Sequence, residues 1–126
     1  MLKYLTEKQI AAVISAAEAL NAVSPSSELG LEYPGDIEKS VEDWERMKPY
    51  RVALLDTISG LSLEARFELM AVMWLGRGDA DGPFDQLLRH AKRLTDEGHV
   101  EYIAEKSSSL PLYLRQGLTK LRKLES

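Results

Sequence analysis

The chain contains no cysteine, which removes disulfides, thiolate metal centres and cysteine nucleophiles from consideration in one step. The same absence fits a reducing compartment. No apolar run approaches the roughly 20 residues that a membrane-spanning helix needs. The longest, Leu69-Met70-Ala71-Val72-Met73-Trp74-Leu75, has the length of a core helix segment. The start, Met1-Leu2-Lys3-Tyr4-Leu5, lacks the apolar centre of a signal peptide and leads straight into a polar helix start. Apolar–polar alternation at period two is never sustained, so no strand is expected, and there is no internal repeat or low-complexity tract. A soluble cytoplasmic chain with no membrane attachment is the expectation.

Two histidines are present, His90 and His99, neither at metal-ligand spacing from further ligands. His90 stands among Arg89, Lys92 and Arg93, a poor place for a dication, and both rings are expected at the surface. No serine sits in a nucleophile-elbow pattern. The reading therefore assigns no catalytic residue, no cofactor and no metal, and leans away from an enzyme.

What is present is ordinary for a globular domain. The 126 residues are 44% hydrophobic and 29% charged, which argues against disorder. A chain of this length buries roughly two thirds of its unfolded surface and can hold one core without staples. Net charge is -4 and uneven: residues 1–63 carry six basic and ten acidic side chains, and residues 64–126 carry ten of each. Within 86–123 there are eight basic against four acidic residues. An acidic chain disfavours non-specific nucleic-acid binding, while the local basic excess keeps a weaker case for it.

Helical periodicity runs through most of the chain. Thr6 and Gln9 form a capping-box pair ahead of Ile10, Val13, Ile14, Ala17 and Leu20. Residues 23–36, rich in proline, serine and glycine, read as a long loop, more mobile than the helices or packed through Leu29, Leu31 and Tyr33. Ile37, Val41 and Trp44 share a face of a short helix, and Pro49 is expected to break the path before a second one carrying Leu54, Leu55 and Ile58. Ser62 can cap the next helix, which is apolar nearly all round and therefore expected to be the most buried, with Gly76 as its left-handed C-terminal cap. The spacing predicts an all-α bundle of five to seven helices, a single domain, with helices at 6–22, 37–47, 50–59, 63–75, 83–97, 99–106 and 110–124.

The most distinctive string is Met73-Trp74-Leu75-Gly76-Arg77-Gly78-Asp79. It is followed by Phe84-Asp85, Tyr102-Ile103, Pro111-Leu112, Tyr113-Leu114 and Gly117-Leu118. In these residues the chain resembles a bacterial family of unknown function over 61–118. The resemblance implies the helical fold and carries no activity with it. Physically, Trp74 packs, Arg77 can reach free carbonyls at a helix end where positive charge is favoured, and Asp79 or Asp81 can cap the next helix. Gly76-Arg77-Gly78 lacks the lysine and hydroxyl of a phosphate loop. From Asp79, an EF-hand would need ligands where Pro83 and His90 stand and glycine where Phe84 stands.

Three functions from different classes are compatible with these residues. The leading one is a non-catalytic protein-interaction or adaptor domain with an unidentified protein partner, for which the early loop and Trp44 are available. The second is a small-ligand protein or enzyme using a surface of Trp74, Arg77, Asp79, Tyr102 and Tyr113, with arginine as a fork for carboxylate or phosphate. The third is a nucleic-acid accessory protein acting through Arg89, Lys92, Arg93, Arg115, Lys120, Arg122 and Lys123. A continuous positive surface on two helices would favour that one.

Overall fold

The structure is a computed structural model that describes residues 2–23, 37–78, 83–93 and 99–125, without the side chains of 37–43 and 125. Among the described residues there are six helices and no strand: α1 (Glu7–Val23), α2 (Ile37–Ser59), α3 (Leu63–Arg77), α4 (Phe84–Arg93), α5 (His99–Glu105) and α6 (Leu110–Glu125). The expected all-α bundle is therefore observed. The expected loop at 24–36 and the end of the expected helix 83–97 lie outside the described residues.

α3 is the centre. Ser62 caps it, its Oγ accepting from the Ala65 N–H at 3.2 Å. All residues from 67 to 76 are buried, because neighbours pack on it from several sides. α6 makes its most extensive contact, α4 lies on another flank, and α5 touches it more briefly. α1 packs on α2 and α6, and α2 reaches α5. Each large apolar side chain withdrawn from water in this way contributes roughly 1.5–3 kcal/mol, so α3 with Leu69, Met70, Val72 and Met73 fully covered carries much of the fold.

α1 begins as its sequence dictates. The Gln9 N–H donates to Thr6 Oγ1, and the Thr6 N–H donates to Gln9 Oε1, both at 3.0 Å, so two orphan donors are satisfied reciprocally. Leu5 and Ile10 on either side of the cap are both buried. The inward face is Ile10, Val13, Ile14, Ala17 and Leu20.

Two boundaries differ from expectation. Pro49 does not divide two helices: α2 runs through it. A proline in a helix interior cannot donate to the carbonyl four residues back, here Glu45. Both positions face solvent, where water can take that carbonyl, and the helix on either side outweighs the lost bond. Nor does Gly76 end α3. The left-handed residue is Gly78 (φ 84°), whose N–H donates to the Trp74 carbonyl at 3.1 Å. Gly76 is instead where α3 and α6 cross. A Cβ there would lie 1.7 Å from the Tyr113 carbonyl oxygen, and one on Gly117 would lie 2.2 Å from the Val72 carbonyl oxygen. Two glycines, one on each helix, allow backbone to meet backbone.

Candidate functional site

The residues singled out from sequence fall into two groups. Trp74 is buried on α3, and its Nε1–H donates to the Tyr102 hydroxyl on α5 at 3.2 Å. The Lys106 ammonium stands 5.4 Å from the Tyr102 ring centroid. The exposed His90 ring of α4 lies 5.1 Å from Trp74, tilted by 48°. Trp74 and Tyr102 are thus brought together, with His90 and Lys106 at their edge, where three helices meet. A buried indole N–H needs a partner, and Tyr102 supplies it from within the chain.

Tyr113 belongs to the other group. It is half-buried on α6, and its carbonyl faces Gly76 at the helix crossing. Arg77 is the last residue of α3 and half-buried. At the same helix end, Lys120 on α6 donates from Nζ to the Leu75 carbonyl at 3.0 Å. Asp79 and Asp81 lie outside the described residues.

Glu68 was not foreseen. It is only 2% exposed, and its carboxylate faces the chain's first residues. Oε1 accepts the N–H groups of Lys3, Tyr4 and Leu5 at 3.2, 3.0 and 2.8 Å, and Oε2 accepts the Lys3 N–H at 3.0 Å. A buried carboxylate needs such donors to offset lost hydration. The available signal was a charge standing directly before the apolar run Leu69 to Leu75. The expectation that His99 is at the surface is overturned. It is 1% exposed, its ring 5.2 Å from Phe67 in an edge-to-face arrangement of 78°, because α5 places its first residue against α3.

Three basic residues of α6, although exposed, meet partners within the chain. Arg115 pairs with Glu18 at 3.0 Å and Arg122 with Glu7 at 2.7 Å, both carboxylates on α1. With Lys120 on a carbonyl, three of the cations expected to face a polyanion are matched internally. An open groove of about 490 Å3 lies between the end of α1 and the start of α6. Its Arg115 and Glu18 answer each other, and its Asn21 donates to the Ser107 carbonyl at 2.9 Å. Among the described residues no group of three histidine, aspartate or glutamate side chains could hold a metal ion. No described helix is long and apolar enough to cross a membrane.

These contacts define an all-helical protein whose conspicuous polar residues tie its own helices together. The chain belongs to a family of unknown function, DUF3775, whose model matches residues 51–122. That range takes in Trp74, Arg77, Tyr102 and Tyr113, and assigns none of them a role. No curated protein and no solved structure is found to match.

Proposed function

We propose that the protein is a non-catalytic interaction domain acting in the cytoplasm, with α2 as its docking element. One observation carries the reading: α2 leaves large apolar side chains in water. Trp44 is 55% exposed, Val52 45% and Tyr50 39%. Isolated exposed apolar residues are normal, but three on one helix, headed by tryptophan, have the composition of a contact surface. The lack of cysteine and of a described membrane span supports a cytoplasmic setting.

The test is a photoreactive phenylalanine analogue at position 44 of the intact chain, expressed in its host. A discrete protein adduct is expected from position 44 and none from exposed Ala12 on α1. Equal labelling from both positions, or none from either, would remove α2 as a docking element.

A further inference from the structure

We propose that residues 2–5 form an acid-released strap, closed by the ionised carboxylate of Glu68 and opened when that carboxyl takes up a proton, while the helices behind it stay folded.

The segment ahead of α1 is not helical, and its side chains do little to hold it. Leu5 is buried and Leu2 half-buried, while Lys3 and Tyr4 are exposed. The rest of the attachment is main chain: the N–H groups of Lys3, Tyr4 and Leu5 all converge on Glu68. Successive backbone N–H groups turned to one side make a concavity that favours an anion. Here the anion is a side chain of α3, buried and more than 60 residues away in the chain.

A proton on Glu68 loosens that grip in two ways. Hydrogen bonds to an ionised acceptor are roughly twice as strong as those to a neutral one, so a neutral carboxyl holds the three N–H groups more weakly. It also carries an O–H, which needs an acceptor when buried. Every hydrogen bond of this carboxylate is with a donor, so water supplies the acceptor only when the segment lifts. The charged side chains on the surrounding elements are Lys3 in the segment, Glu7 and Lys8 on α1, Glu64 and Arg66 on α3, and Arg122 and Lys123 towards the end of α6. None forms an ion pair with Glu68 among the described residues, and Arg122 meets Glu7 instead. Closure of the segment and protonation of Glu68 therefore oppose each other. Opening bares Leu5 and Glu68 and leaves the helix contacts in place, a local event well below global unfolding in cost. The strap thus covers an apolar slot at neutral pH and presents it in acid.

The test is hydrogen exchange with carboxyl-carbon NMR on the intact chain, from about pH 7 to about pH 3, across the ordinary carboxylate range. Protection factors of the Tyr4 and Leu5 amides, corrected for intrinsic exchange, should fall together by up to about tenfold per pH unit, the slope of one proton taken up. Those of Met70 and Met73 in α3 should hold over the same interval. The Glu68 carboxyl carbon should shift in step with the loss. Glu68→Gln should leave both amides unprotected at neutral pH and abolish the slope. If that variant does not fold, the carbon signal of the parent chain decides. Protection that stays flat, that falls only together with α3, or that keeps its slope in Glu68→Gln would overturn the inference. So would a Glu68 carbon that titrates apart from the two amides.

Discussion

Glu68 is the residue whose environment least resembles its chemistry. A carboxylate withdrawn from water is tolerated only when its oxygens are satisfied, and here three successive backbone N–H groups do so. Glu68→Gln keeps the volume but turns an amide N–H2 toward donors. It should lower unfolding stability by about 2–4 kcal/mol in urea titration, with the Tyr4 and Leu5 amides exchanging as if free. A loss under about 0.5 kcal/mol would show that the N-terminal segment is held by Leu5 packing alone. Gly76 and Gly78 make a second contrast at this scale. Gly76→Ala must push α3 and α6 apart and should cost about 3 kcal/mol or more. Gly78→Ala meets open space, its nearest neighbour the Lys120 ammonium at 4.0 Å. It should cost about 1–2 kcal/mol, through the positive φ alone. Equal costs in denaturant unfolding would contradict the close crossing.

Among the elements, α2 is the one that departs from its own local preferences. Proline in a helix interior is up to about 3 kcal/mol less favourable than alanine, and here no buried contact requires it: Pro49 is exposed. Pro49→Ala should therefore raise stability by about 1–3 kcal/mol and raise helical circular dichroism. An unchanged melting temperature would mean that the first half of α2 opens independently of the core. α1 shows the opposite case, an element that agrees with its sequence throughout. Removing its cap by Thr6→Ala should cost about 1 kcal/mol, and the Gln9 amide proton should lose protection.

At the scale of the molecule, the family-matched stretch 51–122 omits helices that complete its core. α1 contributes Ile10, Val13 and Ala17, and the segment before it satisfies Glu68. A fragment of 51–122 should therefore lack a cooperative thermal transition, read by circular dichroism. Cooperative melting of the fragment would show that α3 to α6 suffice. The pairs Arg115–Glu18 and Arg122–Glu7 also join α1 to this stretch, but their side chains are about half exposed or more. A double-mutant cycle on either should give about 0–1 kcal/mol, so α1 is held mainly by its apolar face.

What the sequence determined by itself was local. Helical class, the Thr6–Gln9 box, the Ser62 cap and the burial of α3 all follow from residues within a few turns of one another, where spacing alone decides which side chains share a face. The Trp74–Tyr102 pairing was approached only as two members of one proposed surface, since nothing local says that they meet. Tertiary structure alone decided that Gly76 separates nothing and instead admits α6, that Lys120 reaches across to the Leu75 carbonyl, that His99 is inside, and that Glu68 holds backbone 63 to 65 residues away in the chain. The physical reason is common to all four. Periodicity identifies which face of a helix is buried, but the identity of the group on the far side of that face depends on how distant helices are brought together.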